Sequence, residues 1–184
     1  MMRTQEQIAN DVTLLRRLAE RFIFNIPLLQ LCMRVINDEW FQQCPGGSRH
    51  HHAYTGGLLE HVAQVTQQCV RMANAEFVDM EALTGAAILH DYMKTQEYGT
   101  PNEQGVVPQK LYRVLVGHLA GTALWFYEQA EMMNMDTELR DRVLHCILSH
   151  HGRREWGAAV EPATQEAYIL HAADMLCSRQ LNGQ

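Results

Sequence analysis

The sequence predicts an all-α domain of about seven helices. Three observations carry this expectation. Apolar residues recur at three- and four-residue steps through most of the chain, no stretch of useful length alternates apolar and polar residues as a half-buried strand would, and Gly, Pro and Asn cluster between the periodic segments. Tandem repeats and low-complexity tracts are absent. At 184 residues the chain fits a single domain, large enough to bury a core without disulfide staples.

Residues 5–24 carry Ile8, Val12, Leu15, Leu18 and Phe22 at helical spacing, with Arg16, Arg17, Glu20 and Arg21 between them, which makes an amphipathic helix. Pro27 interrupts, and the pattern resumes from Leu28 to Trp40 through Leu31, Val35 and Ile36. Cys44 to Ser48 is a loop by composition. It leads into the polar segment Arg49 to Gly57, which includes His50, His51 and His52. The segment divides the chain into an N-terminal helical extension (1–48) and a main helical part (49–184) of one compact unit. From Leu58 the helical period returns through Val62, Val65 and Val70, with His61 inside that helix. Further helices are expected over Met80–Met93, 109–131, Thr137–His150 and Ala163–Leu181. Gly117 and Gly121 flank His118 one turn apart, so another backbone or a ligand is expected to come close there. Met132, Met133 and Met135 read as core or cap packing.

The formal net charge of −6 argues against a broad basic surface for gripping long nucleic acid, without excluding a local basic pocket. Five cysteines in mostly apolar stretches, with no C-x-x-C pair, read as buried thiols of a reducing compartment. No basic segment followed by a long apolar run opens the chain, and no run is long enough to span a bilayer, so a soluble cytoplasmic protein with no membrane partner is expected. The ten histidines are the compositional oddity. They are spread from His50 to His171 and raise the prospect of a metal site.

The chemistry concentrates in Ala86-Ala87-Ile88-Leu89-His90-Asp91-Tyr92-Met93-Lys94, where an apolar run ends in an imidazole, a carboxylate and an amine. At about 100° per residue His90 and Asp91 can both reach one ion at a helix edge, and Lys94 follows His90 by one turn. Imidazole and carboxylate suit a divalent ion, and an ammonium suits a phosphate oxygen. Alone, the pair would read as a helix end with a satisfied histidine and a solvated lysine. His61, His118, His145, His150, His151 and Asp174 extend the set, each on a different predicted helix or paired at a helix end, and inward ligands from several helices build metal sites in bundles. Gly152 is a plausible residue to end the helix that carries His150 and His151.

The order of these elements resembles the HD-domain metal-dependent phosphohydrolases. The phrasing His51-His52-Ala53-Tyr54, Gly56-Gly57-Leu58-Leu59-Glu60-His61, Gly117-His118, Ile147-Leu148-Ser149-His150-His151-Gly152 and Leu170-His171-Ala172-Ala173-Asp174 is similar to the HD domains of YhaM-type 3′–5′ exoribonucleases and of TraI-like relaxase proteins. The resemblance implies a single helical HD bundle, with one metal held by His61, His90, Asp91 and Asp174. In two-metal relatives Asp91 would bridge to a second ion on His118, His150 and His151. It further implies Lys94 at a substrate phosphate, with Arg153 or Arg154 as weaker candidates, and catalysis resting on Asp91 and Lys94. His145 is expected to support the site or the core, and His171 to orient Asp174. Two departures stand out. Residues 1–48 look helical and lack the nucleic-acid-binding barrel that precedes the HD domain in those exoribonucleases, and Tyr92-Met93 replaces the family's common Ile-Gly, which would reshape the pocket mouth.

Two functions follow from this reading. One is a metal-dependent phosphohydrolase or phosphodiesterase acting on a phosphorylated small molecule, a nucleotide or an oligonucleotide end, with one or two divalent ions (iron, manganese, nickel, zinc or magnesium). The other is a non-catalytic HD-fold interaction module within a nucleic-acid-processing assembly. The complete ligand series together with Lys94 favours the enzyme.

Overall fold

A computed structural model describes residues 3–48 and 52–179. Its helices are α1 (Gln5–Phe22), α2 (Ile26–Ile36), α3 (Glu39–Gln43), α4 (Gly57–Met72), α5 (Met80–Leu89), α6 (Lys94–Glu97), α7 (Tyr112–Leu115), α8 (His118–Met132), α9 (Thr137–Ser149) and α10 (Gln165–Arg179). Seven of them have ten residues or more, and α3, α6 and α7 are single turns or little more. A 3₁₀ turn spans Arg154–Trp156. Among the described residues the single strand-like pairing is the bridge between Tyr98 and Gln109. The all-α expectation holds.

The helix ends differ from the sequence expectation for local reasons. Thr4 and Gln7 form a capping box that starts α1. Pro27 does not interrupt a helix but stands in the first turn of α2, where its missing N–H costs nothing. The break after α2 falls at Asn37, and Asp38 Oδ1 accepts from the Trp40 and Phe41 amides to begin α3. The expected 109–131 helix is two helices, because Gly117 takes φ +74° between α7 and α8. The close approach expected near Gly121 is made by Tyr112. A Cβ on Gly121 would stand 2.1 Å from the Tyr112 hydroxyl. Of the methionine trio, Met133 and Met135 pack on the core, whereas Met132 is exposed.

α5 is the centre of the bundle. Every residue from Ala82 to Leu89 is buried, and the helix packs against α1, α2, α4, α9 and α10. A helix apolar on all sides is stable only when surrounded, and Leu83, Ile88 and Leu89 each contribute roughly 1.5–3 kcal/mol of burial. Gly85 lets α2 approach. A methyl there would come within 2.8 Å of Leu28. Leu15, Ala19, Leu28 and Leu31 join the same core as Leu59, Val62, Leu83 and Leu170, so the apolar side chains on both sides of residue 48 form one cluster. The consequence for the site is positional. The C-terminal end of α5 delivers His90 and Asp91 into the middle of the bundle, where α4, α8, α9 and α10 can each point a ligand at them.

All five cysteines are buried and unpaired. No helix among the described residues is long and apolar enough to cross a membrane.

Candidate metal centre

His90 and Asp91 follow the last residue of α5, both essentially solvent-free. The ring of His90 is fixed by a 2.9 Å hydrogen bond from Nδ1 to the Ala87 carbonyl. A carbonyl can only accept, so Nδ1 carries the proton and Nε2 presents its lone pair to the interior. His150, at the end of α9, repeats the arrangement with Nδ1 2.7 Å from the Ile147 carbonyl. His118, the first residue of α8, donates Nδ1–H to Glu97 Oε1 at 2.9 Å. Carboxylate and carbonyl partners of this kind fix the tautomer of metal-ligating histidines.

Asp91 lies between two groups of side chains. Its Oδ2 is 3.4 Å from His61 Nε2 and 3.4 Å from His90 Nε2, and His61 Nε2 is 3.1 Å from Asp174 Oδ1. Its Oδ1 is 3.4 Å from His118 Nε2 and 3.8 Å from His150 Nε2, and the Nε2 atoms of His118 and His151 are 3.2 Å apart. Donor atoms of His61, His90 and Asp174 form one mutually close set, those of His118, His150 and His151 a second. Ligands at about 2.1 Å from one ion lie about 3.0–3.4 Å apart for octahedral or tetrahedral angles. All the observed separations but the 3.8 Å between Asp91 and His150 are of that size.

The donor chemistry fits a cation as well. His90 Nε2, His150 Nε2 and Asp91 Oδ1 are buried and make no hydrogen bond among the described residues. Unpaired buried acceptors are costly, and here three of them converge. Burial drives the His150 imidazole well below its ordinary pKa, aided by the neighbouring His151 and His90, and burial with His118 lowers His151. Both are therefore neutral, as ligands must be. Burial alone would raise the Asp91 carboxyl, but the Lys94 ammonium at 2.6 Å, with His61, holds it well below the carboxylate range. Asp174 is likewise lowered against its burial, by His61. His61 is the counterpart. Burial works to lower it, yet Asp174 and Asp91 raise it to about 9.

Lys94 is not a continuation of the His90 helix. The chain turns through Asp91-Tyr92-Met93, and Lys94 opens α6. Its ammonium pairs with Asp91 Oδ2 and lines a cavity of about 610 Å³ with Arg113, His118, His151 and Trp156. Arg113 was not singled out in the sequence. Arg153 lies instead on a neighbouring cavity, its guanidinium 5.1 Å from the centre of the Trp156 ring, and Arg154 is exposed and lines none of the cavities described here.

Glu97 also escaped sequence reading. It is 3% exposed and accepts both the backbone N–H of His118 at 2.5 Å and its Nδ1–H. Nothing in the spacing of residues 97 and 118 announces the contact, because a loop and a one-turn helix intervene. His171 does not turn toward Asp174. It bonds the His150 backbone carbonyl at 2.8 Å, and Ser178 is the residue that reaches Asp174. The approach depends on Gly152, at φ +84°, where a Cβ would be 2.3 Å from the His171 ring. His145 braces the chain before α10, accepting from the Ala163 amide at 2.9 Å. His52 is buried with its ring 5.2 Å from that of His61, so this part of the polar segment belongs to the interior; His50 and His51 lie outside the described residues. Tyr92 does not narrow the pocket mouth. Its hydroxyl donates to Asp38 Oδ2 at 2.7 Å and its ring packs on Trp125 and Phe41, tying the turn after Asp91 to the N-terminal helices.

A family model for the HD domain matches residues 58–178. The chain belongs to the HD-domain family. This HD chain is 31% identical over 145 residues to the 3′–5′ exoribonuclease YhaM of Bacillus velezensis, covering 77% of the chain and 44% of the relative. Against the Bacillus subtilis protein of the same name it is 31% identical over 137 residues, covering 74% and 43%. A Listeria monocytogenes relative, also named 3′–5′ exoribonuclease YhaM, is 29% identical over 178 residues, covering 94% of the HD chain and 54% of the relative. An alignment of that extent leaves only a small part of residues 1–48 outside it, so the likeness to that relative reaches into the N-terminal extension. The HD chain spans about half the length of the curated relatives it matches. No solved structure gives a significant match.

Proposed function

We propose that this HD domain is a metal-dependent phosphohydrolase that cleaves a phosphoester of a nucleotide or of an oligonucleotide end. The observation that carries the proposal is the position of Asp91, with Oδ2 facing His61 and His90 and Oδ1 facing His118 and His150. A scaffold would have no use for two oriented ligand sets around one carboxylate. Relatives named 3′–5′ exoribonuclease support a nucleic-acid end as substrate.

His61, His90, Asp91 and Asp174 would hold one ion and His118, His150 and His151, with Asp91, a second. When bound, such ions supply a water acidified to near-neutral pKa and a clamp on phosphate oxygens. The protein's own groups do the rest. Glu97, Ala87 and Ile147 keep the Nδ1 protons in place, so the Nε2 lone pairs of His118, His90 and His150 stay directed inward. Lys94, pushed up in pKa by Asp91 against its burial, stays an ammonium throughout the neutral range and offers positive charge at the cavity wall. Arg113 adds a second cation on that wall. Both favour a phosphate as negative charge builds on it.

The test is metal content of the purified protein by mass spectrometry, followed by assay of bis-p-nitrophenyl phosphate, a nucleotide panel and a single-stranded RNA. Bound transition metal and metal-dependent phosphodiester cleavage are the expected results. Full metal loading with no cleavage of any substrate would favour the interaction module instead.

A further inference from the structure

The 3₁₀ turn that follows His150-His151-Gly152 places Trp156 where packing does not explain it. The indole is 52% exposed, yet it borders the 610 Å³ cavity beside Lys94 and a second cavity of about 470 Å³ lined by Arg153, Glu155, Glu161, Tyr168 and His171. The two cavities differ in chemistry. The first presents Lys94 and Arg113 close to His118 and His151, and its one carboxylate, Glu97, is buried and already bonded to His118, which leaves a setting for phosphate. The second presents two carboxylates, which repel phosphate but accept hydrogen bonds from amino and imino groups, together with flat apolar surfaces. Trp156 and Tyr168, 60% exposed, supply aromatic faces, the Arg153 guanidinium is 5.1 Å from the indole centre, and the His171 ring is 6.1 Å away at 31°. Volumes of this order accept a small planar ligand.

We infer that the second cavity binds the nucleobase of the nucleotide whose phosphate enters the first, and that Trp156, the shared wall, is its stacking platform. The inference deepens the phosphohydrolase reading and rests on it. Stacking on an aromatic face tolerates every base, so the site would admit nucleotides broadly while discriminating against phosphoesters that lack a base. His171 links the two functions, since the same ring that faces Trp156 holds the His150 carbonyl and so the backbone of a metal ligand.

The test uses the intact, manganese-loaded protein and two probes that differ by a base, the phosphonate isosteres of adenosine 5′-monophosphate and ribose 5-phosphate, whose P–C bond resists hydrolysis, with affinity measured by calorimetry. The wild type should bind the nucleotide tighter by about ten- to a hundredfold, a range set by the usual value of one base–aromatic stack. Trp156→Ala should erase most of that preference by weakening the nucleotide alone, and Trp156→Phe should restore part of it. Melting temperature serves as the folding control, since the indole is half-exposed. A preference undiminished in Trp156→Ala overturns the base site and leaves the phosphohydrolase reading intact. Equal affinity of the wild type for the two probes, or failure to bind either, overturns the base site, whereas the phosphohydrolase reading falls only if the metal-loaded protein cleaves no phosphoester.

Discussion

The most informative perturbation is Glu97→Ala, because His118 is the candidate ligand that Glu97 holds. The substitution removes two hydrogen bonds, one to the His118 Nδ1–H at 2.9 Å and one to its backbone N–H at 2.5 Å, and a looser ion pair with the half-exposed Arg113 at 3.8 Å that adds little. Hydrogen bonds to a charged group contribute about 1.5–3 kcal/mol each, and His118 borders a cavity that water can reach, so the lower end applies and the total is about 3 kcal/mol. For a chain of this size that corresponds to a melting-temperature fall of roughly 6–12 °C. The effect on metal should be asymmetric. Loss of a carboxylate that orients a ligating histidine typically lowers metal affinity about 10- to 100-fold, and only the set containing His118 should show it. Calorimetric titration of the apo-protein with Mn²⁺, resolved into two classes of site, measures this directly. Two unchanged affinities, or a loss confined to the set containing His61, would refute the orienting role.

Three further outcomes follow from the same geometry. Lys94→Ala should lower turnover about a hundred- to a thousandfold, as loss of one preorganised charge contact does, without weakening metal binding, because the ammonium and an ion compete for Asp91 Oδ2; reduced metal content in this variant would count against that competition. Metal binding near pH 7.5 should release close to one proton, since the two carboxylates raise His61 to about 9 and a ligand must give its proton up; calorimetric enthalpies identical in buffers of different ionisation enthalpy would contradict it. In metal-free protein the His61 contribution to stability is complete below about pH 6.5, its unfolded value, and is lost as pH rises through about 9. Asp91 and Asp174, lowered in the folded state, stabilise above their unfolded values and lose that effect only as pH falls through their folded ones. Urea denaturation at pH 6.5 and 9.5 with a chelator present tests the His61 arm, and a gain in stability at the higher pH would show the sign to be wrong.

Periodicity made the helices legible because most bury one stripe, and the motif order made His61, His90, Asp91, His118, His150, His151 and Asp174 legible because residue type and chain order survive folding. What periodicity could not show was where a helix stops. Gly117 splits the 109–131 segment through a backbone angle, and Asp38 separates α2 from α3 through a cap, neither of which disturbs the apolar spacing. The supporting residues were illegible for another reason. Glu97 reaches His118, Tyr92 reaches Asp38 and His171 reaches the His150 carbonyl across 21, 54 and 21 positions, and only tertiary packing brings such pairs together. The resemblance points to Arg153 and Arg154 beside the substrate, whereas Arg113, 38 positions before His151, is the arginine on the Lys94 cavity.

The central claim is that Asp91 serves two ions at once. Anomalous diffraction from crystals grown with Mn²⁺ tests it most directly. Two peaks are expected, one against His61, His90 and Asp174 and one against His118, His150 and His151, with an oxygen of Asp91 turned to each. A single peak, or peaks that leave Asp91 without an ion on either side, would contradict it.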